Sequence, residues 1–196
     1  MTVFQNVKKG LIPARLTVAD VYALTDQGVL GEGDAFELVE GEIVPMAAAK
    51  ASPHEMMKSR LVRVLALAVP GQFDIFVEPS IQVSSVSLLE PDIAIWPRDI
   101  PSRKVRGAEV LLVIEVSASS IGYDLREKAR LYSGAGIREY WVVDALRDTI
   151  RVHRMPEPGG YADVEEYEAH DLVQTLMPGV AIRLGDLGLP PLVQRS

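Results

Sequence analysis

Three ionisable residues in the middle of the chain have the types and spacing needed to hydrolyse a phosphate ester. Asp92 follows Pro91 at the start of a predicted strand, and Glu115 ends the next apolar run 23 residues later. Lys128 lies one turn into the predicted helix that follows. Two carboxylates at neighbouring strand ends can bind a hard cation such as Mg²⁺, which prefers oxygen ligands. Such a cation acidifies water and stabilises charge on a phosphate oxygen, and a nearby ammonium adds to that stabilisation.

Glu115 is more informative than Asp92 because of the residues that precede it. It follows the apolar run 110–114, VLLVI, which predicts a central strand. An ionisable side chain at the end of such a strand is costly to bury without a partner, and this favours a functional site. The alternative is that both residues are ordinary carboxylates at strand ends.

His54 and two glutamates are further candidates. His54 shares a predicted helical face with Met57 and Leu61, so its side chain points toward the core. There it is either a structural histidine or an additional acid or base. Glu37 and Glu42 flank a predicted two-residue turn and share one face of the hairpin, where either adds an acidic group or faces solvent. We expect His54 and at least one of the two glutamates to face the cleft of the carboxylate pair.

Two residues share the predicted helix of Lys128. Asp124 has capping-box spacing with Glu127, which predicts an N-cap, with contact to the site as the alternative. Tyr132 lies one turn beyond Lys128 and either lines the cleft or packs in the core.

Periodicity and capping signals predict the elements that position these residues. A helix at 17–24 precedes a hairpin at 36–44, whose turn is Glu40-Gly41. A Ser-Pro start predicts a second helix from Ser52 to a stop at Pro70. Further along the chain we predict strands at 73–83, 92–96 and 110–116, a helix at 124–133, strands at 139–144 and 149–154, and a mobile acidic loop with an edge strand within 157–171. The core order of helix, strand, strand, strand, helix, strand predicts a mixed β-sheet flanked by helices.

The charge of the chain bears on its partners. The formal net charge is −7, from 20 Lys plus Arg against 27 Asp plus Glu, whereas most nucleic-acid-binding proteins are basic. The segment 98–138 has eight basic and five acidic residues, a net charge of +3, which leaves −10 for the rest. This segment either contacts phosphates or is a solvated surface. The chain has no cysteine, which excludes disulfides, thiolate metal sites and cysteine nucleophiles.

Length and apolar content indicate one domain. We divide it into an N-terminal extension and hairpin at 1–50, a core at 51–155, and C-terminal strands and a tail at 156–196. The sequence shows neither a signal peptide nor a membrane-spanning run, so we expect a cytoplasmic protein without a membrane partner.

These features together resemble a known group of enzymes. Pro91-Asp92, then Glu115 on the next strand and a lysine, are similar to the PD-(D/E)xK nuclease superfamily. More closely, the chain resembles the Uma-type family of putative restriction endonucleases. The matching segments are FELVEGEIVPM, SPHEMMKSRLVRVL, EPDIAIW, LLVIEVSASSIGYDLREKARLYSGAGIREYWVVD and LMPGVAIRLGDL. They extend from about residue 16 to residue 187, and the block from Leu111 to Asp144 is the specific part.

The resemblance implies an α/β (α+β) restriction-endonuclease-like fold with an N-terminal β-hairpin, and a Mg²⁺- or Mn²⁺-dependent endonuclease that hydrolyses DNA. The metal ligands would be Asp92, Glu115 and the backbone carbonyl of Val116. The catalytic residues would be these two carboxylates with Lys128, His54 and Glu37.

One position departs from the superfamily motif, which places lysine two residues after the glutamate. That position holds Ser117, and in Uma-type sequences the lysine lies on the following helix, as Lys128 does. The acidic charge and Ser117 favour an alternative, a non-catalytic protein that keeps the fold for binding or scaffolding. A hydrolase for another phosphorylated substrate is a third possibility. For a nuclease with one site per subunit we expect a homodimer, because two-fold symmetry presents a site to each DNA strand.

Overall fold

The computed structural model describes residues 3–10, 13, 15–31, 34–46, 52–118 and 120–190. Its strands, in chain order, are β1 (Phe36–Val39), β2 (Glu42–Pro45), β3 (Phe73–Val77), β4 (Ile81–Ser84), β5 (Ser87–Leu89), β6 (Ile93–Pro97), β7 (Leu112–Ser117), β8 (Glu139–Asp144), β9 (Thr149–Glu157), β10 (Gly160–Tyr167), β11 (Val173–Gln174) and β12 (Ala181–Ile182). Its α-helices are α1 (Val3–Lys8), α2 (Val18–Asp26), α3 (Ser52–Ala68), α4 (Ile121–Tyr123) and α5 (Ala129–Gly134). A π-helical turn, Asp124–Lys128, joins α4 to α5, and short 3₁₀ turns occur at Ser102–Lys104, Gly107–Glu109 and Leu184–Leu187.

The main sheet has six strands in the order β10-β9-β8-β7-β6-β3. Neighbouring strands are antiparallel except for β7 and β8, which are parallel. A parallel pair requires a crossover, and the segment from α4 through α5 supplies it. The predicted mixed sheet with flanking helices is therefore confirmed, and the helix of Lys128 crosses one face of it.

A second sheet places the N-terminal hairpin beside this core. Its four strands have the order β2-β1-β5-β4. The predicted two-residue turn is present, because Val39 pairs with Glu42 while Glu40 and Gly41 both have positive φ. Two consecutive positive φ values match the twist of a hairpin. The hairpin thus joins strands of the core rather than standing apart from it.

Apolar side chains fill both faces of the main sheet. On one face, α3 contributes Met57, Leu61 and Leu65 to a cluster with alternate residues of β6 and β7. On the other face, Ala129 and Tyr132 pack with the remaining residues of these strands. Burying each such side chain stabilises the fold by roughly 1.5–3 kcal/mol. Within the described residues, no helix combines the length and apolar character that crossing a bilayer requires.

Two predicted boundaries are wrong. The segment 73–83 is not one strand. Glu78 has a left-handed backbone, with a φ of 51°, and this bend separates β3 from β4, which lie in different sheets. The helix predicted at 124–133 begins earlier, at Ile121, so Asp124 is not its N-cap. The edge strand expected within 157–171 is β10.

Candidate functional site

Asp92 and Glu115 meet at one end of the main sheet. In the antiparallel pair of β6 and β7, Ile93 pairs with Ile114, and one further step of this register places Asp92 opposite Glu115. Residues directly opposite each other in an antiparallel pair point to the same face. Both side chains are buried, and the backbone N–H of Val116 donates a hydrogen bond of 2.8 Å to Asp92 Oδ2.

Lys128 and Tyr132 hold Glu115 from the crossover helix. Lys128 Nζ lies 2.8 Å from Glu115 Oε1, and the Tyr132 hydroxyl donates to the same oxygen at 2.8 Å. Lys128 Nζ also lies 3.0 Å from Glu37 Oε1. The backbone N–H of Glu90 donates to that Glu37 oxygen at 3.0 Å. The buried ammonium of Lys128 therefore contacts both the hairpin, through Glu37, and β7, through Glu115.

His54 holds Asp92 from the opposite side. Its Nε2 lies 3.1 Å from Asp92 Oδ2, and its Nδ1 lies 3.1 Å from Glu55 Oε1. The histidine is buried, as its helical phase predicts. With Glu37 on Lys128 and His54 on Asp92, the structure brings together the five side chains proposed from the sequence. Their catalytic and metal-binding roles, and that of the Val116 carbonyl, stay predictions.

A further set of contacts supports His54. Lys58 Nζ donates to Glu55 Oε1 at 3.0 Å and to Glu78 Oε1 at 2.8 Å. The backbone N–H of Glu78 donates to the Asp92 carbonyl at 3.1 Å, which closes a ring of contacts around Asp92. Sequence reasoning missed Lys58 and Glu78. The signal that could have found the bend at Glu78 is Pro79, because a proline inside a predicted strand argues against one continuous strand.

Ser117 replaces the motif lysine and contributes no charge. Its hydroxyl lies 3.2 Å from that of Ser120, which donates a 2.6 Å hydrogen bond to Asp124 Oδ2. Asp124 is buried, and the Tyr140 hydroxyl donates to its backbone carbonyl at 3.0 Å. We call the buried carboxyl groups of Glu37, Asp92, Glu115 and Asp124 the acidic cluster. Asp124 lies at its edge, and Ser117 helps to position Asp124.

Several carboxyl groups are crowded together in this cluster. Glu37, Asp92, Glu115 and Asp124 are all buried, and the charges of Glu115, Glu37 and Asp124 act on Lys128. Burial raises the pKa of Glu115 above its ordinary value; Lys128 opposes this rise, and the neighbouring carboxylates add to it. Burial likewise raises the pKa of Asp124. Burial opposes the charge of Lys128, but its carboxylate neighbours outweigh burial and raise the pKa of Lys128.

The donor set fits a hard cation that keeps open positions. Asp92 and Glu115 offer carboxyl oxygens on one face, and a cation there would offset the crowding of carboxylates that raises the pKa of Glu115. Among the residues that the structure describes, no group of three or more histidine, cysteine or carboxylate side chains is arranged to hold a metal ion. Mg²⁺ commonly uses one or two carboxylates and completes its shell with water and substrate oxygens. The absence of cysteine and the oxygen-rich cluster do not fit a structural zinc site.

Two other predicted features lie elsewhere. Glu42 is exposed and pairs with Arg15 at 2.7 Å, so it does not face the cluster. Several arginines of the segment 98–138 are paired with acids of other segments: Arg98 with Asp74, Arg103 with Asp26, and Arg130 with Glu40. The segment is therefore partly neutralised rather than one continuous basic patch.

Comparison with known proteins assigns the chain to a family. The family model Uma2, described as putative restriction endonuclease, matches residues 18–185. The chain belongs to the Uma2 family. This confirms the resemblance found in the sequence, and it covers every side chain of the acidic cluster. No curated protein matches the chain.

A solved structure shares the fold of this Uma2 protein. It is a putative nuclease belonging to DUF820 from Anabaena variabilis, with a TM-score of 0.63 and 19% sequence identity. The alignment covers 84% of this chain and 96% of that chain. The restriction-endonuclease-like fold class is thus supported by a solved neighbour and by the family.

Proposed function

We propose that this protein is a metal-dependent endonuclease that hydrolyses phosphodiester bonds of DNA. The observation that carries the proposal is the buried pair Asp92 and Glu115 at one sheet end, with Lys128 bound to Glu115. Membership of the Uma2 family supports a nuclease in general. The surplus of buried carboxylates supports the requirement for a divalent cation.

The chain would divide the work of hydrolysis among these groups. Asp92, Glu115 and the Val116 carbonyl would hold Mg²⁺ or Mn²⁺, which supplies an acidified water and offsets charge on the phosphate. His54 and the Val116 N–H keep Asp92 oriented. Lys128 and Tyr132 keep Glu115 oriented. The oxygen of a water would add to phosphorus while the bond from phosphorus to the leaving oxygen breaks. The attacking water would give up one proton to solvent, and solvent would protonate the leaving oxygen.

Lys128 has a second role because it lies between Glu115 and Glu37. Its positive charge would stabilise the negative charge that develops on the phosphate in the transition state. Removing one preorganised electrostatic partner typically lowers the rate by about 10²–10³-fold. We therefore assign Lys128 the role that the superfamily gives to the lysine missing at Ser117.

DNA is the proposed substrate, with weak and modestly salt-dependent binding. The net charge is −7, and three arginines of the basic segment are paired with acids. Few phosphate contacts release few counterions, so the salt dependence should be shallow. A two-fold homodimer would present a second site and more positive surface to the duplex.

The test is cleavage of supercoiled plasmid and of single-stranded DNA with Mg²⁺ or Mn²⁺. We expect wild type to cleave, Glu115→Gln to be inactive, and Lys128→Ala to be about 10²–10³-fold slower. Glu42→Gln is the matched control, since it makes the same change at an exposed position. Equal nicking by wild type and Glu115→Gln would show that the site is wrong. No cleavage together with no metal binding would establish the non-catalytic alternative.

A further inference from the structure

The hydroxyl group of Tyr123 is buried and has no hydrogen-bond partner among the described residues. The residue forms the end of α4, and its side chain as a whole is half-buried. Buried polar atoms in native proteins are nearly always hydrogen-bonded to protein or to water. Within the described residues this hydroxyl lacks such a partner, which leaves it available to a bound molecule or to water.

Tyr123 lies beside the acidic cluster. It directly precedes the π-helical turn Asp124–Lys128, and the i to i+5 spacing of such a turn places Tyr123 one turn from Lys128. Burial raises the pKa of Tyr123, the charge of Glu37 raises it further, and that of Lys128 lowers it. The hydroxyl is therefore near these charges without being hydrogen-bonded to them.

The other phenols around the site have partners within the chain. The Tyr132 hydroxyl donates to Glu115, that of Tyr140 to the Asp124 carbonyl, and that of Tyr161 to the Ile137 carbonyl at 2.9 Å. These three contacts explain why each hydroxyl is tolerated in the core. No such contact explains the hydroxyl of Tyr123 within the described part of the chain.

We propose that the Tyr123 hydroxyl donates a hydrogen bond to a non-bridging phosphate oxygen of the nucleic acid bound at Asp92 and Glu115. This rests on the proposed nuclease function. Lys128 Nζ contacts Glu115 and Glu37, which leaves one of its three N–H donors for the phosphate, and Tyr123 would add a second donor. Tyrosine hydroxyls are regular donors to phosphate oxygens, which accept hydrogen bonds and cannot donate them. Because the Tyr123 hydroxyl is neutral, it would not change the negative charge that the carboxylates offer to the cation.

Tyr123→Phe tests the proposal because it removes the hydroxyl and keeps the ring. Without ligand, we expect a melting temperature equal to or above that of wild type, since no hydrogen bond to the described residues is lost. Tyr161→Phe is the matched control; it loses the bond to the Ile137 carbonyl, so its melting temperature should fall while nucleic-acid binding is unchanged. A lower melting temperature for Tyr123→Phe would show an internal partner and overturn the proposal.

The second measurement is binding of a fluorescent oligonucleotide in Ca²⁺, followed by anisotropy, beside Mn²⁺ affinity measured by calorimetry. A lost hydrogen bond to a charged group typically weakens binding by about ten- to hundredfold. We expect Tyr123→Phe to weaken oligonucleotide binding to this extent and to leave Mn²⁺ affinity unchanged. A loss of Mn²⁺ affinity would assign the hydroxyl to the water shell of the cation and overturn the proposal.

The outcomes separate this inference from the proposed function. If wild type binds and cleaves DNA and Tyr123→Phe binds equally well, the hydroxyl does not contact phosphate and only this inference fails. If wild type binds the oligonucleotide, Tyr123→Phe binds it more weakly, and neither cleaves, the inference stands and the nuclease function fails. If wild type neither binds nor cleaves, both are refuted.

Discussion

Glu115→Gln tests whether the acidic cluster exists to bind a cation. Glu115 Oε1 accepts hydrogen bonds of 2.8 Å from Lys128 and 2.8 Å from Tyr132, and a glutamine carbonyl oxygen can accept both. The substitution removes one of four crowded, buried carboxyl groups, whose pKa is already raised by burial and by its carboxylate neighbours. We therefore expect the metal-free variant to be no less stable than wild type, although it changes a buried residue of the site.

The size of the effect follows from the linkage between binding and stability. A cation at 100 times its dissociation constant stabilises the folded state by about 2.7 kcal/mol. For a domain of this length, each kcal/mol shifts the melting temperature by roughly 2–4 °C. Wild type should therefore melt about 5–11 °C higher with saturating Mn²⁺. Glu115→Gln should lose most of this rise, because it lacks the anionic oxygen that binds the metal.

The assay is thermal unfolding across a Mn²⁺ titration, with Ca²⁺ as a second hard cation. Glu42→Gln is the control for the loss of one negative charge, because Glu42 is exposed and pairs with Arg15, which is not part of the acidic cluster. It should keep the wild-type response. A full Mn²⁺ shift in Glu115→Gln would remove Glu115 from the metal site. A metal-free variant much less stable than wild type would show that the carboxylate is structural.

Three further predictions concern the groups around this pair. Lys128→Met should destabilise the protein by about 3–5 kcal/mol, measured by chemical denaturation, because it leaves its two buried carboxylate partners without a cation; a change below about 1 kcal/mol would contradict the buried ion pair. His54→Gln should lower Mn²⁺ affinity or cleavage by about 10–100-fold through the loss of its contact with Asp92, and unchanged calorimetry and kinetics would show a purely structural histidine. Gly107→Ala should cost about 1–3 kcal/mol, because its Cβ would lie 2.4 Å from a backbone oxygen at the end of α5, whereas Gly134→Ala meets nothing within 4 Å and should be neutral or stabilising.

Much of the local structure could be predicted from the sequence because its causes are local. The capping box of α2 forms between Thr17 and Asp20, three residues apart. The turn at Glu40-Gly41 needs two positive φ values, and a hairpin with glycine in its turn signals this. The apolar run before Glu115 predicts a buried central strand, and β7 is fully buried. Residue types and spacing on consecutive strands also predicted that Asp92 and Glu115 would lie near each other.

The sequence was less informative where a backbone bend, rather than a residue type, decides the path of the chain. The apolar segment 73–83 fits a continuous strand, yet the bend at Glu78 sends its two halves into separate sheets. The same bend brings Glu78 to Lys58 and to the Asp92 carbonyl. Pro79 marks an interruption of the strand in the sequence, but the left-handed backbone at Glu78, which sets the direction of the bend, is held by its surroundings.

By itself, the sequence determined most of the helices and strands, the pair of carboxylates and the family. Only the tertiary structure decided which side chains hold that pair. Glu37 and Lys128 are far apart in the chain, and they meet because the hairpin sheet and the crossover helix pack at the same sheet end. Periodicity records contacts a few residues apart, whereas the ion pairs of the site form between segments whose distance is set by the packed core.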